Sequence, residues 1–301
     1  MQGKLLVVGS LNMDLVVGVA HLPHMGETIL GGKFDTIPGG KGANQAVAAA
    51  RTGAAVTMIG RVGRDGFGDV LRDSAAKDGI DIRCVTVDPQ QATGVALITV
   101  DANGQNTIVV ASGANLALSL ADLESAREAF AQASVLVLQL EIPLEIVRQA
   151  VRMAREYGLK VVLNPAPAQV LETELLSAVD YLIPNEGEAL QMAGAQTLDA
   201  AIAGLQKLGA RSLIITLGEN GVLVVDADGR RHIPAYAVKP VDTVAAGDAF
   251  VGAFATGLAE GLSVDQAVGL GNAAAAISVT RHGAQPSLPV RAEVDQFRGT
   301  K

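Results

Sequence analysis

A set of short, unbroken apolar runs constrains this chain more than anything else in it: Leu5-Leu6-Val7-Val8, Val135-Leu136-Val137-Leu138, Val161-Val162-Leu163, Tyr181-Leu182-Ile183 and Leu213-Ile214-Ile215. None shows a polar residue at every second position, so both faces of each must be buried, as in strands of a parallel sheet covered by helices. A further strand is expected over Val56 to Gly60. Helical patterns lie between them, from Asp65 to about Lys77 and near Ala121 to Gln132, and Pro143 is placed to start another. Strand and helix alternation of this kind predicts an α/β fold, and 301 residues suffice for one large α/β domain or one domain with a small appendage.

Nearly every run ends in polar residues. Gly9 closes the first, with Asn12 and Asp14 just beyond; Glu141 follows the strand at Val135 to Leu138; Asn164-Pro165-Ala166-Pro167 and Pro184-Asn185-Glu186-Gly187-Glu188 follow the next two. In open parallel sheets ligands bind at the carboxyl ends of the strands, so these residues point to one shared site. Any one of them alone is equally a turn or a cap. After Ser212 to Thr216 the turn Leu217-Gly218-Glu219-Asn220-Gly221 is so short that Val222 to Val225 must return antiparallel at one sheet edge.

Two segments break the alternation. Leu15 to Pro38 reads as short strand-like pieces with Gly31-Gly32, and Thr93 to Ala111 places Asn103-Gly104 between two β runs, a hairpin signal. Together they are expected to form a small sheet outside the main core, a lid over the sheet edge.

Two small-residue segments open helices. Gly39-Gly40-Lys41-Gly42-Ala43-Asn44-Gln45-Ala46 begins an alanine-rich helix to about Arg51, where a ligand can approach the backbone and Lys41 and Asn44 add donors. It is not a Walker loop, because no Ser or Thr follows the Gly-Lys pair. Asp242-Thr243-Val244-Ala245-Ala246-Gly247-Asp248 precedes a helix from Ala245 to Glu260. Its backbone N–H groups are free to face an anion, and Asp248 beside them is placed to take a proton from an attacking hydroxyl. A capped core helix explains the same residues, and the segment by itself leaves both readings open. A last helix is expected over Val264 to Thr280, then an irregular loop to Ser287.

With a net charge of -8 and a pI near 5.0, the chain has no general attraction for nucleic acid or anionic membrane, so a phosphorylated ligand must be held by local donors. Cys84 is the single cysteine, which excludes an intrachain disulfide and fits a reducing cytoplasm. Neither a signal-peptide pattern nor a membrane-spanning run is expected.

The motifs Asn12-Met13-Asp14, Gly39 to Ala46, Asn164 to Pro167, Pro184 to Glu188 and Asp242 to Asp248, in this order, resemble the PfkB family of carbohydrate kinases over nearly the whole chain. The resemblance implies a three-layer αβα sandwich with a mostly parallel central sheet, a single domain over 1–301, and a discontinuous β lid from about 13–39 and 92–111 that pairs two subunits into a homodimer. It implies ATP-dependent phosphorylation of ribose at its 5-hydroxyl. By the same resemblance Asp248 is the general base and Ala245, Ala246 and Gly247 the anion hole. The sugar contacts are Asn12, Asp14, Gly40, Lys41, Asn44 and Glu141, with Asp248 under the reactive hydroxyl. Asn185, Thr216, Gly218, Gly221, Gly247 and Asn272 hold the nucleotide. Glu188 organises water around magnesium, and a monovalent cation, potassium, is held by Asp242, Val244, Ser278, Arg281, Gly283 and Ser287, mostly through backbone oxygens. Gly187 stands where relatives often carry Thr, and Asn272 where some carry His. His21, His24, His232 and His282 match no catalytic position and are read as surface or packing residues.

The alternatives are a 2-deoxyribose kinase or another sugar or nucleoside kinase of the family, and a sugar-binding sensor without chemistry, against which an intact Asp248 counts. A nicotinamide-dependent dehydrogenase is disfavoured because no Gly-x-Gly-x-x-Gly follows the first strand.

Overall fold

The computed structural model describes residues 3–299. Its strands are β1 Lys4–Val8, β2 Asn12–Gly18, β3 Phe34–Gly39, β4 Ala55–Gly63, β5 Asp81–Asp88, β6 Gly94–Val100, β7 Asn106–Ala111, β8 Val135–Leu138, β9 Lys160–Leu163, β10 Tyr181–Leu182, β11 Leu213–Thr216, β12 Val222–Asp226 and β13 Gly229–Ile233. Its helices are α1 Lys41–Arg51, α2 Gly66–Lys77, α3 Leu120–Ser125, α4 Arg127–Gln132, α5 Leu144–Glu156, α6 Thr173–Ala178, α7 Glu186–Ala193, α8 Leu198–Lys207, α9 Ala246–Ala259, α10 Val264–Ser278 and α11 Arg291–Gly299.

Nine strands form the central sheet in the order β13-β12-β11-β10-β9-β8-β1-β4-β5. All neighbours are parallel except β11 with β12 and β12 with β13. The period-2 geometry of β1 shows why its sequence is apolar throughout: Leu5 and Val7 pack into one core with α1, α9 and α10, while Leu6 and Val8 pack into a second core with α5, α6 and α8. At about 25 cal/mol per Å² of apolar surface removed from water, two such cores supply the main drive to fold. The result is the expected three-layer αβα sandwich.

A second sheet, ordered β3-β2-β6-β7, is built from the two segments that broke the alternation. β2 pairs antiparallel with β3 and parallel with β6, with Asn12 opposite both Gly39 and Gly94. Only Gly9-Ser10-Leu11 separates β2 from β1, so the small sheet starts at the carboxyl edge of the large one. Every residue of β7 is exposed.

The expected single helix from Ala121 to Gln132 is two helices, α3 and α4, that meet at Ala126. The hydroxyl of Ser125 donates to the carbonyl of Asp122 at 2.8 Å, a back-bond that bends helices. The edge strands β5 and β13 are additions to the expected set.

Candidate active site

Two helix N-termini meet at the carboxyl edge of the central sheet. At α1, Gly40 occupies the N-cap with φ 87°, a backbone conformation that glycine adopts freely. A side chain there would also collide with the backbone N of Asn12, 2.7 Å from its Cβ. The first N–H groups of α1 are met by the protein's own acceptors. Lys41 N donates to Glu141 Oε2 at 3.1 Å, Gly42 N to Ser10 Oγ at 3.2 Å and Ala43 N to the Ser10 carbonyl at 2.9 Å. Ser10 Oγ donates in turn to Glu141 Oε2 at 2.5 Å. Glu141 therefore caps α1 from the end of β8.

At α9 no side chain caps the helix. Its N-cap, Ala245, has φ 59° and is the only non-glycine residue with positive φ among the described residues. That left-handed conformation costs an alanine about 1–2 kcal/mol, and strain of this kind collects where backbone N–H groups are aimed at a ligand. Ala246 N donates to the Thr243 carbonyl at 3.3 Å, closing the turn that presents Gly247.

Asp248 lies in the first turn of α9 and is buried. Asn44 Nδ2 donates to its Oδ2 at 3.0 Å and Gln45 Nε2 to its Oδ1 at 2.9 Å. Burial pushes its pKa up, opposed by the Lys41 ammonium and by these two donors. Asn44 Oδ1 is buried without a partner, an acceptor facing no protein donor beside the carboxylate. Asp14 on β2 is raised to about 7, by burial first and then by the nearby charges of Glu141 and Asp248, with Lys41 opposing. For Lys41, burial lowers the pKa, but Asp248, Glu141, Glu188 and Asp14 outweigh it and hold the ammonium above its ordinary value. Four carboxylates and one cation thus share a partly dry volume, where their charges act strongly on one another.

Next to this cluster lies a cavity of about 210 Å³ lined by Lys41, Asn164, Asn185, Glu188, Thr216, Ala245, Gly247 and Asp248. It continues into a groove of about 790 Å³ that shares Asn185, Thr216, Thr243 and Gly247 and extends along Gly218, Gly221, Tyr236, Phe250 and Asn272. The groove walls are mainly apolar, suited to a flat heterocycle, and its inner end reaches the uncapped end of α9. Gly221, with φ 90°, lies against the chain at Ile233 to Ala235, where a Cβ would sit 2.2 Å from the Ile233 carbonyl. Asn272 Nδ2 donates to the Pro234 carbonyl at 3.2 Å and anchors that wall. Asn185 and Glu188 cap α7 reciprocally, Asn185 N donating to Glu188 Oε2 and Glu188 N to Asn185 Oδ1, both at 2.8 Å.

A model described as "pfkB family carbohydrate kinase" matches residues 2–291. The chain belongs to the PfkB family. Among PfkB relatives, the ribokinase of Haemophilus influenzae is 44% identical over 302 residues, covering 99% of each chain. A deoxyribokinase of Salmonella typhi is 39% identical over 297 residues, covering 97% of this chain and 96% of the relative. The structure of Arabidopsis thaliana ribokinase complexed with ribose and ATP superposes with a TM-score of 0.91 at 32% identity, covering 99% of each chain.

In this PfkB-family chain the expected groups fall into three neighbouring places. Lys41 lines the cavity, Asn44 bonds Asp248, and the charges of Asp14 and Glu141 reach it, while Gly40 caps α1 and Asn12 opens β2 beside them. Asn185, Thr216, Gly218, Gly221, Gly247 and Asn272 line the groove. Asp242, Val244, Ser278, Arg281, Gly283 and Ser287 come together behind Ala245. Asp242 accepts from Val244 N and Gly283 N, each at 2.9 Å, and Ser278 and Ser287 share a hydroxyl hydrogen bond of 2.8 Å. Among the described residues no group of three or more His, Cys, Asp or Glu is placed to hold a metal ion. These residues offer a carboxylate, two hydroxyls and their backbone carbonyls, oxygen groups of the type that suits a large monovalent cation. Glu188 has one oxygen on its own cap and lines the cavity, which suits water-mediated contact with a hydrated divalent ion.

His21 pairs with Glu27 at 3.0 Å and His232 with the Asn220 carbonyl at 2.6 Å, both in contacts away from Asp248. Sequence reasoning passed over Ser10, Gln139 and Asn115 and quoted Gln45 without giving it a task. Asn115 is buried and its Nδ2 donates to Asn12 Oδ1 at 2.7 Å and to the Leu11 carbonyl at 3.1 Å, so it fixes the Asn12 side chain. For Gln139 a signal was present: a buried amide between Leu138 and Leu140 at a strand end.

Proposed function

We propose that this chain is an ATP-dependent kinase that phosphorylates ribose at its 5-hydroxyl. The observation that carries the reading is the buried carboxylate of Asp248, held by Asn44 and Gln45 at the uncapped N-terminus of α9, where the polar cluster meets the groove. The relative of Haemophilus influenzae and the ribose- and ATP-bound neighbour of Arabidopsis thaliana support the substrate pair.

On this reading Asn12, Asp14, Gly40, Lys41, Asn44 and Glu141 bind the sugar, and Asp248 accepts the proton of the attacking hydroxyl. The N–H groups of Ala245, Ala246 and Gly247 and the Lys41 ammonium meet the charge that grows on the transferred phosphoryl group. Asn185, Thr216, Gly218, Gly221, Gly247 and Asn272 hold the nucleotide. Magnesium, held through water by Glu188, supplies charge neutralisation on the phosphates. Asp242, Val244, Ser278, Arg281, Gly283 and Ser287 hold potassium and so fix the loop that carries Ala245. Residues 1–301 act as one domain whose small sheet is the lid, and an exposed apolar face of that sheet, with the cross-strand pair Leu97 and Val109, pairs two subunits in a homodimer. The enzyme works in the cytoplasm.

The Salmonella relative makes 2-deoxyribose the competing acceptor. ATP consumption measured across pentoses, hexoses and nucleosides, with and without potassium, tests both. A higher kcat/KM on ribose than on any other acceptor supports the reading, and a preference for 2-deoxyribose overturns it. Asp248→Asn is expected to lower kcat by about 10²–10⁴-fold while ribose still binds. Full turnover in that variant would falsify the role of the base.

A further inference from the structure

We propose that Gln45, backed by Gln139 and Asn164, is a positioning residue that orients the carboxylate of Asp248 for proton transfer. The inference rests on the reading of Asp248 as the base.

Gln45 is fully buried on α1, one residue after Asn44. Its Nε2 donates to Asp248 Oδ1 at 2.9 Å and to Asn164 Oδ1 at 3.1 Å, and its Oε1 accepts from Gln139 Nε2 at 2.6 Å. An ionised carboxylate only accepts, so the amide must turn its NH₂ toward Asp248; the reverse orientation would set Oε1 against two acceptors. The neighbours lock the same choice. Asn164 Nδ2 donates to the Ile183 carbonyl at 2.9 Å, which leaves Asn164 Oδ1 for Gln45. Gln139 uses its Nε2 on Gln45 and is left with Oε1 buried and unpartnered. Gly9 makes room for that amide, because a Cβ there would lie 2.1 Å from Gln139 Oε1.

A buried carbonyl without a donor is costly to keep. Between Leu138 and Leu140 an apolar side chain would avoid it. The amide of Gln139 is explained by what it does to Gln45, and the pair by what it does to Asp248. Strands β8 and β9 thereby hold a group on α9 through a side chain of α1.

The charged groups around Asp248 are Lys41 on α1, Asp14 on β2, Glu141 beyond β8 and Glu188 on α7. None is altered by substituting an uncharged amide. Loss of the Gln45 donor therefore leaves those fields in place and removes one hydrogen bond from the ionised form of the base.

The test is steady-state kinetics of the full chain with ribose and ATP, for Gln45→Met, Gln139→Met, the double variant and Asp248→Asn, each checked for folding by thermal melting. Gln45→Met is expected to lower kcat about tenfold or more with ribose KM within about threefold. The acid limb of its kcat profile should move to higher pH, since a lost donor makes the carboxylate easier to protonate. Gln139→Met should shift both quantities the same way but less. The double variant should match Gln45→Met within about twofold, because Gln139 acts only through Gln45. Additive losses, or an unmoved acid limb in folded Gln45→Met, overturn the proposal; if Gln45→Met does not fold, an unmoved limb in Gln139→Met does. An active Asp248→Asn would instead defeat the base itself, whereas an inactive one beside an unmoved Gln45→Met limb defeats only the positioning role.

Discussion

The Asp14 carboxylate occupies the place where a side chain on Gly39 would begin: a Cβ on Gly39 would lie 2.4 Å from Asp14 Oδ2 and 2.6 Å from Oδ1. Strands β2 and β3 pair so that Asp14 faces Ile37 and Asn12 faces Gly39, and the missing side chain is what lets the carboxylate fold back toward the site. Gly39→Ala should push Asp14 out of place. Ribose KM is expected to rise about tenfold or more with ATP KM unchanged, read from initial rates with each substrate varied in turn. An unchanged ribose KM would refute this account of Gly39.

Asp14 also sets a pH dependence of stability. Its folded pKa, about 7, lies above the unfolded value of 3.8, so between those values the folded state binds more protons than the unfolded one. Stability must then fall as pH rises from about 4 to about 7, and a gap of that size is worth at most about 4 kcal/mol. Asp14→Asn removes the group that resists ionisation. Its melting temperature should exceed that of the unsubstituted chain at pH 8, and the advantage should vanish by pH 4. A constant difference across that range would rule the mechanism out.

Arg51 fastens the loop behind Ala245 to α1. Its guanidinium donates to Asp78 at 2.7 and 3.1 Å, and to the carbonyls of Gln285 and Leu288 at 2.6 and 3.1 Å. Arg51→Met strips two carbonyls and a carboxylate of their donors and should destabilise the fold by about 1–3 kcal/mol in urea titration. Because the loop includes Gly283 and Ser287, the potassium concentration for half-maximal activity should rise as well. A stability loss with unchanged potassium dependence would separate the loop from the cation.

Phe254 on α9 is fully buried, edge-on to Tyr181 at 5.5 Å and stacked on Phe250 at 6.1 Å. Phe254→Ala opens a cavity between α9 and the sheet. A loss of about 3–5 kcal/mol in denaturant unfolding is expected; a loss under 1 kcal/mol would mean that α9 collapses onto the sheet more freely than its packing implies.

The central strands were legible because burial on two faces leaves no room for polar residues, as in β1 and β8. The edge strands were not. β5 reads Asp-Ile-Arg-Cys-Val-Thr-Val-Asp and β13 reads Gly-Arg-Arg-His-Ile, with charges that solvent at an edge tolerates and that look like loop in sequence. Asn12, Lys41 and Asp248 could be read as candidates from strand ends and helix starts. The contacts among Gln139, Gln45 and Asp248 could not, since their partners lie 94 and 203 residues apart and no local pattern records a pairing made by the assembled layers.

Helix α9 is buried at every residue from Asp248 to Leu258, and it meets α1 so closely that a Cβ on Gly252 would sit 2.6 Å from the Gln45 carbonyl. A helix enclosed on all sides is held in place by its packing, and so is the carboxylate at its start. On the proposed reading the acceptor has to reach Asp248, and the small sheet holding Asn12 and Asp14, joined to the rest of the chain at residues 9–11, at Gly40, at residues 89–93 and after Ala111, would bring it there.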